Sequence, residues 1–373
     1  MSAAIAFPSC TMPAAARALR DEVREFIAAE KPAGTHYTES NPEFSRKLGA
    51  RGWIGMTWPV QWGGHGRSTL ERYVVSEELI AAGAPIFFHW VADRQSGPLL
   101  LRFGTDAQRA RFLPGIVRGE SGFAIGLSEP NAGSDLAALE TRAQRVAGGW
   151  RVSGTKVWTS NAHIVQHMIL LCRTAPRSAD RRHGLSQFIV DLHAPGIRVN
   201  PIKNMAGQCE FNEVVFDDVF LPDDMLLGQP DQAWGQLISE LAFERSGADR
   251  FLSALRLYTA FVDAAGADPS AAEAALIGRL AAHLWTLRHM SISVARMLQD
   301  KAPELEATIV KDLGNRFEQG IVEQCRALRP APVPGTPYAD ALQQAMLYMP
   351  RVTIQGGTPQ ILRNAMARAL GLR

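Results

Sequence analysis

The sequence predicts an α+β protein, mainly α, in which helices flank a β-rich middle segment. Helical hydrophobic periodicity runs to about residue 121, short alternating or apolar runs bounded by turn residues fill 122–228, and long helical stripes occupy 229–373. The expected domains are therefore a helical one over 1–121, a small antiparallel β barrel or sandwich over 122–228, and an antiparallel helical bundle over 229–373.

In the first segment Leu19, Val23, Phe26 and Ile27 recur at i, i+4, i+7 and i+8, one buried face of a helix that Lys31-Pro32-Ala33-Gly34 stops. The turn-rich stretch Trp58 to Gly66 carries glycines, but no strand precedes them and no lysine follows at phosphate-loop spacing, so it reads as an ordinary loop. Helical pattern resumes from Leu70 to Arg118. In the middle segment, residues 150–158 alternate around Gly154, and 168–172, 188–190 and 214–216 are short apolar runs set off by Gly, Asn, Asp and Pro. The last segment has one stripe of Leu276, Leu280, Leu284 and Leu287 and another of Ile309, Val310, Leu313, Phe317, Ile321, Val322 and Cys325. Arg329 to Gly335 holds three prolines and interrupts the bundle, leaving two shorter helices to close the chain.

Bulk composition removes several function classes. Basic and acidic residues number 39 and 37, a net charge of +2, which is no concentrated positive field for a nucleic acid or an anionic membrane. No run of eighteen apolar residues would cross a bilayer, and Met1 to Phe7 lacks the basic and apolar regions of a secretory signal. The four cysteines are scattered without a C-x-x-C pair, which points to a reducing compartment, the cytoplasm. His163 and His167 have the i, i+4 spacing of a helical zinc pair, but on a strand their rings would stand roughly 13 Å apart, so no metal site is expected.

Three ordered motifs carry the chemistry. The first is Phe123-Ala124-Ile125-Gly126-Leu127-Ser128-Glu129-Pro130-Asn131-Ala132-Gly133-Ser134-Asp135; the second is Gly154-Thr155-Lys156-Val157-Trp158-Thr159-Ser160-Asn161; the third is Thr353 to Ile361. Gly133-Ser134 in a turn can offer backbone N–H groups to an anion or a ring edge, and Glu129-Pro130 forces an extended approach to that turn. Trp158 offers a flat apolar wall with the Thr159 and Ser160 hydroxyls beside it. The same residues also suit a plain strand–turn–strand core with a buried tryptophan.

Taken together, the motifs and their separations resemble the acyl-CoA dehydrogenase family over nearly the whole chain. The resemblance implies FAD, with Ile125, Leu127, Ser128, Gly133 and Ser134 along the pyrimidine and N5 side. It places Trp158 over the ring face and adds Thr159, Ser160, Thr358 and Gln360 to the cofactor set. It implies removal of an α-proton from an acyl-CoA thioester as the β-hydride leaves to the flavin, with electrons passing to an electron-transfer flavoprotein. Relatives hold the catalytic base in the closing loop or in the first helix of the C-terminal bundle. The closing-loop position here is Gly356, so the resemblance assigns the base to Glu244. Gly356 and Gly357 would then contact the thioester, and Arg245 and Ser134 the CoA portion.

Two family segments are missing. Where relatives carry Arg-x-x-Phe-Gly and Gln-x-x-Gly-Gly to grip a neighbouring subunit's FAD, this chain has Ala264-Ala265-Gly266-Ala267-Asp268-Pro269-Ser270 and Ala341-Leu342-Gln343-Gln344-Ala345-Met346. The expected assembly is a homo-oligomer or, better suited to this loss, a heterotetramer with a second acyl-CoA dehydrogenase-like subunit, as in the enzymes of steroid side-chain thioesters. Two other functions on the same fold are a flavin monooxygenase or N-hydroxylase, and a partner subunit without chemistry of its own.

Overall fold

The computed structural model describes residues 5–32, 34, 36–245, 247–300, 303–330 and 332–372, without the side chains of 240–244. Among the described residues six α-helices come first: α1 (Ala14–Glu30), α2 (Pro42–Ala50), α3 (Thr69–Ala81), α4 (Phe87–Val91), α5 (Gly97–Phe103) and α6 (Asp106–Val117). The strands follow as β1 (Phe123–Gly126), β2 (Arg142–Val146), β3 (Gly149–Ser160), β4 (His167–Arg173), β5 (Leu185–Asp191), β6 (Ile197–Ile202), β7 (Phe211–Pro222) and β8 (Leu226–Leu227). The chain closes with α7 (Ala233–Arg245), α8 (Leu255–Ala265), α9 (Ala271–Met297), α10 (Glu304–Leu328), α11 (Pro337–Tyr348) and α12 (Pro359–Ala369). These elements form two compact units. One comprises Met1–Tyr37, Ser68–Ala84 and Leu241–Arg373; the other comprises Thr38–Arg67 and Pro85–Glu240.

The first unit is helical. α1 buries Ala16, Leu19, Val23 and Phe26 and ends where Lys31 turns left-handed at φ 41°. α3 starts in a reciprocal capping box between Ser68 and Glu71, which satisfies two of the N–H groups a helix start leaves open. It brings Glu77 and Glu78 into the interior, where lone carboxylates would be costly. Arginines compensate: Arg20 reaches both carboxylates at 2.7 and 2.8 Å, Arg24 grips Glu78 at 2.7 Å, and Arg288 forks onto Glu77 at 2.7 and 2.9 Å. This network ties α1 and α9 to α3.

The α10 stripe departs from expectation at Leu313, which is 39% exposed, while Lys311, Asn315 and Glu318 are buried. Gly314 explains the polar lining: its bare backbone admits the Arg250 carbonyl so closely that a β-carbon would meet it at 2.0 Å. α10 therefore buries hydrogen-bonding groups against the 248–253 turn, where apolar side chains would leave backbone polar atoms unpaired. Glu318 accepts the Ser253 N–H at 3.0 Å and a short hydrogen bond from its hydroxyl.

Burial pushes the Glu318 carboxyl up to about 7 against the pull of these bonds. A carboxyl raised on folding keeps its proton where the unfolded chain releases it. Its stabilisation is full below the unfolded carboxylate pKa and is lost as pH rises through about 7. Glu318→Gln, which keeps the acceptor and cannot ionise, should gain stability over the parent by on the order of 3 kcal/mol between pH 4.5 and 8. Denaturant melts of both proteins at each pH check this; parallel pH profiles would contradict it.

The second unit is built on one eight-stranded sheet in the order β6-β7-β3-β2-β4-β5-β8, with β1 beside β4. Most neighbours are antiparallel, as expected for the middle segment. β1–β4 and the single β2–β4 rung are parallel, which makes the sheet mixed. A long connection, here the β2–β3 hairpin and its flanking loops, is what lets a returning strand lie parallel. Trp150, Val152, Met168, Leu170, Cys172, Phe188, Val190, Val214 and Phe216 fill the core. Met168 to Cys172 are fully buried without alternation, which is why that run reads as wholly apolar.

Candidate active site

In the second unit the first two motifs meet at one surface. Reciprocal bonds between Glu129 and Ala132, at 2.9 and 3.1 Å, close the turn after β1, and the Ser128 carbonyl accepts the Val157 N–H at 2.9 Å. The signature turn is thereby laced to β3 one residue before Trp158. β3 bulges there: Lys156 pairs with Val214 and Thr159 with Asn212, so Val157 and Trp158 together face one partner residue. The bulge puts Trp158 at φ 61°, a left-handed backbone unusual for a bulky residue, and leaves its side chain 59% exposed. Phe211, paired with Ser160, braces the indole edge-on at 6.2 Å. The buried-tryptophan alternative is thus excluded for Trp158.

Among the other residues of these two motifs, Ile125, Leu127, Ser128 and Ser160 are half-buried, and Gly133 and Ser134 are exposed. Thr159 does not join them. It is fully buried inside the β-domain, because the bulge resets the alternation after Trp158, and its hydroxyl stays off the shared surface. Asp135 anchors the following loop through Arg181 at 2.7 Å, and Arg177 donates to the Ala138 carbonyl at 2.6 Å. Two cations of the 173–182 loop are therefore engaged locally.

Beneath the turn lies a feature that the motif reading did not assign. Lys156 is fully buried and its Nζ stands 2.8 Å from Glu129. Burial lowers the Lys156 pKa and the Glu129 charge partly restores it. Burial likewise pushes the Glu129 carboxyl up, but the Lys156 ammonium and backbone donors outweigh it and hold it below the usual range. The signal was present in the period-2 pattern: Trp150, Val152 and Lys156 share the inward parity of β3.

The third motif lies in the first unit. Gly356 and Gly357 have φ of 66° and 107°, both in the left-handed region that a side chain disfavours. Thr358 caps α12 by accepting the Ile361 N–H at 3.4 Å, so its hydroxyl is committed to the helix, and Gln360 is exposed on the first turn. Arg245 ends α7, is buried, and donates to the Thr308 hydroxyl at 3.2 Å. Its other amino group lies 3.6 Å from where a β-carbon of Gly357 would stand, which joins α7, α10 and the closing loop. Glu244 falls on α7, and its side chain is outside the described residues.

His163 is exposed in a turn, whereas His167 opens β4, stacks on Phe123 at 5.0 Å and lies 3.2 Å from the Ser121 hydroxyl. Among the described residues no group of three or more His, Cys, Asp or Glu could hold a metal ion, and no helix is long and apolar enough to cross a membrane.

Residues 13–120 match the acyl-CoA dehydrogenase N-terminal domain and residues 124–219 the acyl-CoA dehydrogenase middle domain. The acyl-CoA dehydrogenase IpdE1 of Mycobacterium tuberculosis is 34% identical over 342 residues, covering 90% of this chain and 88% of its own. The structure of the Tcur3481-Tcur3483 steroid ACAD superposes with a TM-score of 0.85 at 28% identity, covering 97% of this chain and 98% of that one. The ChsE4-ChsE5 complex from Mycobacterium tuberculosis shares the fold at a TM-score of 0.84 and 24% identity, over 98% of this chain and 99% of that one. This chain belongs to the acyl-CoA dehydrogenase family, a family of flavoprotein oxidoreductases.

Proposed function

We propose that this chain catalyses the FAD-dependent α,β-dehydrogenation of an acyl-CoA thioester to the trans-2-enoyl-CoA and passes the electrons to an electron-transfer flavoprotein in the cytoplasm. The observation that carries the reading is Trp158, held out of the sheet at φ 61° beside the Ser128 turn. A strained backbone that exposes an indole has little use in a core, and it suits a flat apolar ring laid against it. Ser128 and Ser160 are half-buried and Gly133 and Ser134 exposed in the same two motifs, and they would supply polar contacts to that ring's edge. FAD, when bound, would supply the acceptor for the hydride of the β-carbon. Glu244 takes the α-proton, Gly356 and Gly357 give the substrate carbonyl close approach to backbone N–H groups, and Arg245 holds the closing loop against α7.

The diphosphate end of FAD fits this chain less well, and that supports a second subunit. Residues 341–346 lie within α11, where N–H groups are spent on the helix and no glycine opens the backbone. The segment after α8 turns at Gly266 into the Ser270 cap of α9 and offers no arginine between 264 and 270. The name Tcur3481-Tcur3483 joins two components, and the same plan here would let the second one supply the missing grip.

Expression alone and with a second acyl-CoA dehydrogenase-like subunit, followed by FAD quantification and anaerobic bleaching with a panel of acyl-CoAs, tests both points. About one FAD per two chains in the co-purified complex, bleached by an acyl-CoA, is expected. Full loading of the lone homo-oligomer overturns the two-subunit plan. A complex without flavin overturns the cofactor reading and favours a non-catalytic subunit, and steady oxygen use with NADH and a reductase favours a monooxygenase.

A further inference from the structure

The sealed ion pair under the signature turn has a geometry that ordinary core stabilisation does not require. Lys156 Nζ donates to the Leu127 carbonyl at 2.9 Å as well as to Glu129, so it grips the residues on both sides of Ser128. Glu129 accepts two further N–H groups, from Glu140 at 2.6 Å and Thr141 at 2.9 Å. One carboxylate thus joins the start of the turn, the chain approaching β2, and β3. Gly154 makes room for this: at φ 149° its backbone lies so near Thr141 that a β-carbon would meet the Thr141 side chain at 2.5 Å.

Replacing a buried ion pair by apolar groups of similar size is often neutral or favourable for stability, so the pair is not needed merely to hold the sheet. What it adds is registry. An apolar side chain at 156 would tolerate small slides of the turn along β3, whereas an ammonium is satisfied only where the Leu127 carbonyl and the Glu129 carboxylate converge. Trp158 stands two residues along the same strand, on the bulge, and Ser128 is fixed to Val157 between them.

We propose that Glu129 and Lys156 are positioning residues that lock Ser128 and Trp158 into a single register, so that the turn and the indole address the same cofactor ring. The inference rests on the flavin reading above. It concerns how the surface is held, since neither side chain is accessible to a ligand.

The test compares wild type with Lys156→Met, Glu129→Gln and the double variant, in the full chain and with its second subunit where wild type needs one to bind FAD. The double variant removes both charges and retains volume, which protects against simple misfolding. Hydrogen exchange should accelerate at least tenfold in peptides covering 127–134 and 155–160 while β4 and β5 keep their protection. FAD affinity should fall tenfold or more. Unchanged turn exchange, exchange that rises evenly through the β-domain, or wild-type FAD affinity in the double variant would each overturn the positioning role. Failure of FAD to bind wild type in any assembly sinks the flavin reading and this inference with it; wild-type binding with unaltered variants sinks the inference alone.

Discussion

Replacing Glu244 with glutamine should slow anaerobic flavin bleaching by an acyl-CoA by roughly 10²–10⁴-fold, with FAD content and acyl-CoA affinity little changed. The α-proton of a thioester is a weak acid, and glutamine keeps the size of the side chain while losing the site that takes the proton. The other place where relatives hold a base is occupied by Gly356 at φ 66°, followed by Gly357 at φ 107°. A glutamate at 356 would have to adopt a left-handed backbone that residues with a β-carbon rarely accept. Gly356→Glu should therefore fail to restore the Glu244→Gln variant and should strain the closing loop. Rapid-mixing spectroscopy of both variants decides the matter, and an unimpaired bleaching rate in Glu244→Gln rules out its role as base.

Lys156→Met should cost the β-domain about 3–5 kcal/mol, because it strands the Glu129 carboxylate in an interior from which water is excluded. The double variant with Glu129→Gln should lie close to wild type at neutral pH, since no charge is then left unpaired. The pH dependence separates these outcomes further. Glu129 is held below the usual carboxylate range, so its stabilisation is present above the unfolded pKa, about 4.3, and is lost as pH falls through the lower folded value. Wild type should weaken on acidification through that window by more than the double variant does. Hydrogen exchange of the β3 to β5 peptides along a urea series gives the comparison. A Lys156→Met protein as stable as wild type would show that Glu129 is not left stranded when Lys156 is removed.

Much of the candidate site could be located from residue order alone, since Ser128, Gly133, Trp158 and Gly356 each sit in a short motif whose local chemistry limits what it can do. Thr159 shows where such local reading stops. Its hydroxyl belongs to the motif, but the bulge at 157–158 turns it inward, and a bulge depends on pairing with a strand more than fifty residues away. Thr358 is similar, since its hydroxyl is committed to capping α12. Glu318 and Lys311 were hidden for a different reason. Helical periodicity finds apolar faces, and α10 turns polar groups inward wherever it meets the backbone of the 248–253 turn.

By itself the sequence determined the helix–strand–helix order, the stripes of α1 and α9, the turn chemistry of 127–135 and the glycines of the closing loop, because each follows from local periodicity and backbone preference. Only the tertiary structure decided that β1 runs parallel to β4, that Trp158 faces outward while Thr159 faces in, and that Lys156 finds Glu129 beneath the turn. Those outcomes depend on strand pairing and on which charges are shut away from water together, and both are set by contacts between residues far apart in the chain.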